Sequence, residues 1–208
     1  MSPVRRLLFA CVLCSAAFAA SAADDEYAQM LGYLADSRMD GRALAGASGA
    51  IAANLAAGDL NLQANLRSVA VGDRAAAGIA AAQQRLGDRY DVPRDAQARI
   101  GGQALAGASG LASINQASGS ANAELNAVAM TLAQQGIRET PDSALSTGAF
   151  ASAGRQNAAI PAGRTASRNV AVEATALHGF EGVLQLNQIA GSANATDNQL
   201  LLSVSPGP

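Results

Sequence analysis

The side chains that recur at fixed spacing in this sequence are amides, and the chemistry open to an amide is hydrogen bonding. Asparagine occupies equivalent positions in three segments of the chain, and glycine accompanies it at constant offsets. A side-chain amide carries both donors and an acceptor, so amides stacked in a column can bond to one another. The recurring asparagines are Asn54, Asn61 and Asn65; Asn115, Asn122 and Asn126; and Asn187, Asn194 and Asn198.

Groups that could serve as catalysts or metal ligands are few. The single histidine, His178, stands at a repeated position that holds Ala45 in the first copy and Ala106 in the second. No serine, histidine and acid form a recognisable nucleophilic set, and the acids at 24–26 are typical of a solvated terminus. The sequence therefore predicts no enzyme, no cofactor and no metal site.

The recurring amides lie in three copies of one segment, which align without a gap. The copies run from Ala43 to Val71, from Ala104 to Leu132 and from Ala176 to Val204. Internal repeats are typical of proteins in which each unit buries its surface against the next. The glycines that we expect at turns are Gly49, Gly58, Gly110, Gly119, Gly182 and Gly191.

Each copy divides into two extended arms around a turn. In the first copy the arms are Gly49–Ala57 and Asn61–Val71. Gly58 followed by Asp59 is turn chemistry, because glycine reaches positive φ at little cost. Copies stacked in register place each asparagine over its counterpart at a strand spacing of ~4.8 Å, as in cross-β assemblies. We therefore predict an all-β fold, a stacked-rung β-solenoid or cross-β structure.

The predicted ladder extends beyond asparagine and has open ends. Gln116 and Gln188 each follow an asparagine, whereas Leu55 holds that position in the first copy. A stack of three copies leaves unpaired backbone groups at both ends, which ordinary proteins block with charge or proline. None of the repeats contains proline. We therefore expect self-association head to tail into an open-ended fibre.

A helical alternative fits some of the same residues. Asn54, Gly58, Asn61 and Asn65 also follow heptad spacing, and alanine favours helix. An Ala-rich helical bundle would make the protein a soluble periplasmic or cell-surface binding module. Against this alternative, asparagine is a poor helix former, and Gly58 would lie inside a helix.

The N-terminal residues read as an export signal. Arg5 and Arg6 precede the short apolar stretch Leu7–Ala19, and small residues around Ala22 suit cleavage. Both cysteines fall within this signal peptide, so we expect no disulfide in the exported chain. The net charge of −2 becomes more negative once Arg5 and Arg6 are removed, which argues against a nucleic-acid partner.

Composition divides the chain around the repeats. The predicted divisions are a signal peptide (1–22), an N-terminal segment (23–42), repeats (43–71, 104–132 and 176–204), linkers (72–103 and 133–175) and a tail (205–208). Residues 74–90 have helix-forming composition, and the second linker is typical of a flexible segment. Both linkers are longer than one strand spacing requires, so we expect them to bulge outward.

The pattern G-x4-N-x3-G-x2-N-x3-N, with an Asn-Gln pair in the second and third copies, resembles the repeats of the Fap-type functional amyloid subunits of Gram-negative biofilms. Those subunits also combine a signal peptide with three imperfect repeats and variable linkers. The resemblance implies secretion through an outer-membrane pore, assembly with other fibre subunits into extracellular fibres, and a role in adhesion and biofilm. One departure is the C-terminal Cys-x-Cys common in the family, since this sequence ends Ser203-Val204-Ser205-Pro206-Gly207-Pro208.

Overall fold

The computed structural model describes residues 34–73, 75–84, 90, 92–93, 95–133, 149–151 and 166–204. The expected signal peptide, the acids at 24–26 and the tail at 205–208 lie outside the described residues. The strands are β1 (Leu34–Met39), β2 (Ser48–Ala57), β3 (Leu62–Gly72), β4 (Ala81–Gln83), β5 (Asp95–Ile100), β6 (Ser109–Ser118), β7 (Ala123–Ala133), β8 (Ala149–Ala151), β9 (Ser167–Val172), β10 (Glu181–Ala190) and β11 (Ala195–Val204). One short 3-10 helix spans Ala174–Leu177.

The strands form three parallel three-stranded sheets. We call β1-β5-β9 sheet 1, β2-β6-β10 sheet 2 and β3-β7-β11 sheet 3. Strands β1–β3 form rung 1, β5–β7 rung 2 and β9–β11 rung 3, so rung 2 is central in every sheet. A two-stranded sheet pairs β4 with β8. The predicted all-β stack of repeats is confirmed, and the described part of the chain contains no α-helix to support the helical bundle.

The repeats stack in register. Asn115 pairs with Asn54 on one side and Asn187 on the other, along β6. Asn126 pairs in the same way with Asn65 and Asn198, along β7. Identical residues therefore form columns that run across the three rungs.

Each rung contains one strand more than the two arms predicted from the repeats. β1 lies in the segment interpreted as N-terminal, β5 in the first linker and β9 in the second. β5 and β9 pair in register from Asp95 with Ser167 to Ile100 with Val172. Strand pairing thus begins ahead of each aligned copy, and the end of the second linker is an ordered strand, not the flexible segment expected there.

The helix expected over 74–90 is not found in its described residues. Residues 75–80 have no regular structure and β4 follows them. Ala77 packs against Ala129, and Ile79 and Ala81 pack against Leu125 and Ala127 on sheet 3. Helix propensity contributes little energy per residue, and the packing of these apolar side chains against sheet 3 overrides it.

The apolar core lies between sheets 1 and 2. It contains Ile100 from β5, Leu105 from the following turn and Ile114 from β6, all essentially inaccessible to solvent. Side chains alternate along a strand, so Ile114 faces this core while its neighbour Asn115 faces sheet 3. The described residues include no helix of the length and apolar character needed to cross a membrane.

Candidate functional site

The turn between sheets 2 and 3 repeats its backbone geometry in every rung. Gly58, Gly119 and Gly191 adopt positive φ angles of 109°, 115° and 144°. Two residues later the chain again has positive φ, at Leu60, Ala121 and Ala193. The turn places sheet 3 opposite sheet 2, so that side chains of the two sheets meet. The two strands that it joins within one rung do not pair with each other.

The asparagines of β2, β6 and β10 meet those of β3, β7 and β11 in a double ladder. In the central rung, Asn126 Nδ2 donates to Asn115 Oδ1 at 2.9 Å. Asn115 Nδ2 donates to Asn54 Oδ1 at 3.0 Å and to Asn65 Oδ1 at 3.2 Å. The two columns are therefore bonded to each other as well as along the stack.

The third rung continues the double ladder. Asn187 Nδ2 donates to Asn115 Oδ1 at 3.0 Å and to Asn126 Oδ1 at 3.2 Å. Asn198 Nδ2 donates to Asn126 Oδ1 at 3.0 Å and to Asn187 Oδ1 at 2.9 Å. Each bond between asparagine side chains of different rungs thus has its donor on the higher-numbered rung and its acceptor on the lower.

A second asparagine column lies at the turn. Asn122 Nδ2 donates to Asn61 Oδ1 at 3.0 Å, and Asn194 Nδ2 donates to Asn122 Oδ1 at 3.0 Å. These asparagines also hold the turn glycines, because Asn61 Nδ2 donates to the Gly119 carbonyl at 2.9 Å and Asn122 Nδ2 to the Gly191 carbonyl at 2.9 Å. The column therefore fixes the turn of one rung to the turn of the next.

The glutamine column faces the other way, into the interface between sheets 1 and 2. Gln188 Nε2 donates to Gln116 Oε1 at 2.8 Å and to the Ala98 carbonyl at 3.2 Å. Gln116 Nε2 donates to the Ser37 carbonyl at 2.7 Å. Leu55 takes the equivalent place in rung 1, where it packs against the apolar core.

Two glycine columns let the rungs approach closely. A Cβ at Gly119 would lie within 3.0 Å of the Gly191 carbonyl, nearer than real Cβ atoms come. A Cβ at Gly182 would lie equally close to the Gly110 carbonyl, and one at Gly110 to the Gly49 carbonyl. Glycine at these positions is thus a packing requirement as well as a turn requirement.

Several buried polar residues that belong to the interfaces were not predicted from the sequence. Ser118 Oγ donates to the Ala35 carbonyl at 2.6 Å and accepts from the backbone N–H of Gln97 at 3.0 Å, which joins sheet 2 to sheet 1. Ser113 Oγ donates to Gln185 Oε1 at 3.2 Å inside the interface between sheets 2 and 3. Their residue types vary between copies, so sequence identity gave no signal for them.

Glu124 is the one ionisable side chain fully buried in the described part of the chain. It pairs in register with Gln63 of rung 1 and Thr196 of rung 3. Gln63 Nε2 donates to Glu124 Oε2 at 2.5 Å, while Glu124 Oε1 and Thr196 Oγ1 are buried without hydrogen bonds. Burial raises the pKa of the Glu124 carboxyl to about 7, and the hydrogen bond from Gln63 partly opposes that rise.

No metal-binding cluster of His, Cys, Asp or Glu occurs among the described residues. His178 lies exposed in the turn ahead of β10, where its backbone carbonyl accepts from the Gly107 amide at 2.9 Å. What the site offers chemically is a set of hydrogen-bonding amide columns open at both ends.

The family model described as functional amyloid protein FapB/FapC family matches residues 16–205, which include all three repeats and both linkers. No solved structure matches the chain. The resemblance is thereby confirmed, and the family is one of structural amyloid subunits, not of enzymes. This chain belongs to the functional amyloid protein FapB/FapC family.

Proposed function

We propose that this protein is an exported structural subunit that polymerises head to tail into extracellular cross-β fibres, which support adhesion and biofilm. The observation that carries the proposal is the in-register asparagine double ladder, which continues across all three rungs. Membership of a functional amyloid family makes self-assembly its general property.

The edges of the three sheets support head-to-tail growth. The strands of rung 1 and rung 3 lie at the edges of sheets 1, 2 and 3. An edge strand presents unpaired backbone donors and acceptors to any strand of matching register. Because both edges carry the same asparagine pattern, rung 3 of one copy is a template for rung 1 of another. A contact of this kind joins different faces and does not close, so it generates a filament.

Export is the second part of the proposal. The basic residues at 5 and 6 and the apolar stretch that follows them favour a signal peptide, and family resemblance favours passage through an outer-membrane pore with other fibre subunits. The repeats carry little charge, whereas the linkers carry most of the arginines. Like charges one strand spacing apart repel, so this distribution suits dense stacking.

Fibre diffraction on the chain without residues 1–22, after incubation at neutral pH, tests assembly. We expect reflections near ~4.7 Å and ~10 Å. The chain with Asn115→Ala and Asn126→Ala lacks the central asparagine amides and should assemble more slowly. A soluble helical product without either reflection would contradict the proposal. Deletion of the gene in the source bacterium should reduce biofilm mass, and reintroduction of the gene should restore it.

A further inference from the structure

The glycine columns contact backbone carbonyls of the next rung inside the subunit, whereas the glycine at the end of each column has no such carbonyl close to it. At Gly110 and Gly182, an added Cβ would run into the carbonyl of the next lower rung. At Gly58 and Gly119, an added Cβ would run into the carbonyl of the next higher rung. The two columns therefore direct their missing side chains along the stack in opposite directions.

Gly49 and Gly191 are the last members of these columns. Gly49 belongs to rung 1, is exposed, and has no atom within 4 Å of an added Cβ. Gly191 belongs to rung 3 and is buried, and the three atoms nearest to an added Cβ there belong to side chains, Asn194 Nδ2 at 3.3 Å and Nε and Cδ of Arg168 at 3.7 and 3.8 Å. Neither glycine is required by a backbone contact within its own subunit.

We propose that Gly49 and Gly191 are interface residues, which allow rung 3 of one copy and rung 1 of the next to approach closely. We call this interface the joint. This inference rests on the proposed head-to-tail fibre and specifies its register. In the joint, Gly191 of one copy lies against the Gly58 carbonyl of the other, as Gly119 lies against Gly191 within the subunit. Gly49 lies against the Gly182 carbonyl of the neighbouring copy, as Gly110 lies against Gly49.

The direction of the amide ladder fixes the polarity of that joint. Every inter-rung bond between asparagine side chains, such as Asn115 Nδ2 to Asn54 Oδ1 at 3.0 Å, points its donor towards rung 1. The rung 1 face therefore presents the Asn54 amide donor, and the rung 3 face presents the Asn198 and Asn194 amide oxygens. Donors meet acceptors only when rung 1 of one copy lies on rung 3 of another.

The chain offers a matched control at Gly46. It is also exposed and has positive φ, 70° against 89° for Gly49, so an alanine at either site must adopt a backbone conformation that favours glycine. In the Gly46 column the closest approach of an added Cβ is 3.8 Å, from Gly179 to the Gly107 Cα, which is an ordinary contact. An alanine at 46 therefore meets no carbonyl in the joint.

The test uses fluorescently labelled wild-type seeds, and microscopy follows growth at each end of a seed. The seeds grow in wild-type monomer that contains a small fraction of the variant. A Gly49→Ala subunit can add through its rung 3 face but cannot accept a further copy on rung 1. We expect it to slow one end about tenfold or more, while Gly191→Ala slows the opposite end. Both variants together should stop both ends, and Gly46→Ala should stop neither.

A second measurement covers the case in which one variant incorporates poorly. Mixed in equal amounts without seeds, Gly49→Ala and Gly191→Ala can form one correct joint and no more, so pairs should accumulate. Wild-type growth unchanged by both variants, or slowed equally at both ends by either, would overturn the proposed joint. If wild type itself forms no cross-β fibre, the proposed function fails instead, so the two failures are distinguishable.

Discussion

The central rung and the two end rungs carry the same asparagines in different surroundings. Asn115, Asn122 and Asn126 are fully buried, with amide partners on both neighbouring rungs. Their counterparts Asn54 and Asn194 are exposed. A hydrogen bond contributes most where its loss leaves a buried partner unsatisfied. One repeat sequence thus produces a buried interior and exposed ends, and the proposed head-to-tail assembly would bury those ends.

Removal of the central amides should have the largest effect. We expect Asn115→Ala with Asn126→Ala to destabilise the fibre subunit by about 3–6 kcal/mol, because buried amides and carbonyls lose their partners. The matched pair Asn54→Ala with Asn65→Ala should cost less than half of that in the isolated subunit. Guanidinium midpoints measured on soluble subunits give the comparison. Equal losses for the two pairs would contradict the difference between centre and ends.

Protonation of Glu124 should make the central rung sensitive to pH. The carboxyl pKa is raised from 4.5 to about 7 in the folded chain. The contribution of Glu124 to the free energy of unfolding is therefore fully present below pH 4.5. It falls as pH rises towards 7, by about 3 kcal/mol in total, because the unfolded state releases its proton first. Glu124→Gln should flatten this dependence in guanidinium unfolding measured from pH 4 to pH 8. The exposed control Glu181→Gln should leave it intact, and an unchanged pH profile for Glu124→Gln would contradict the buried carboxyl.

A methyl group should cost more stability at a glycine that lies against a carbonyl of the next rung than at a glycine that does not. Gly119→Ala places its Cβ against the Gly191 carbonyl, whereas Gly107→Ala meets no atom within 4 Å, and both positions have positive φ. We expect Gly119→Ala to destabilise the subunit by about 2 kcal/mol more than Gly107→Ala. Thermal unfolding of the two variants measures the difference. Equal melting temperatures would show that the rungs lie further apart than the structure has them.

Completion of the glutamine column should have the smallest effect. Leu55→Gln would add an amide next to Gln116, worth about 0.5–1 kcal/mol, and would remove apolar contact of similar value. We expect a net change within about 0.5 kcal/mol in guanidinium unfolding. A gain or loss well beyond that would mean that the end rung is packed more like the central rung than its exposure indicates.

The asparagine columns and the turns could be predicted from the sequence, because their residues recur in all three copies. Asn54, Asn115 and Asn187 align without a gap, so their register followed directly from the repeats, and the structure places them in one column. Glycine followed by a small polar residue located the turns. The physical reason is that parallel in-register stacking places equivalent residues together, so identity along the sequence becomes contact in space.

The remainder depended on packing that varies from rung to rung. β5 and β9 share no residue type at any paired position; Ala98, for example, lies beside Val170 and Ile100 beside Val172. Sequence identity therefore gave no signal for this sheet. The helix expected near Ala77 gave way to burial on sheet 3. Glu124 was also missed as a buried group, because its column holds a different residue type in each rung.

High-resolution electron cryomicroscopy of the fibre tests the central claim most directly, because it measures the rise per subunit along the fibre axis. Three rungs per copy, stacked head to tail at the strand spacing, predict a rise of about 14 Å and a fibre with distinct ends. A rise of about 4.8 Å, with each copy laid flat in a single layer, would contradict the three-rung subunit.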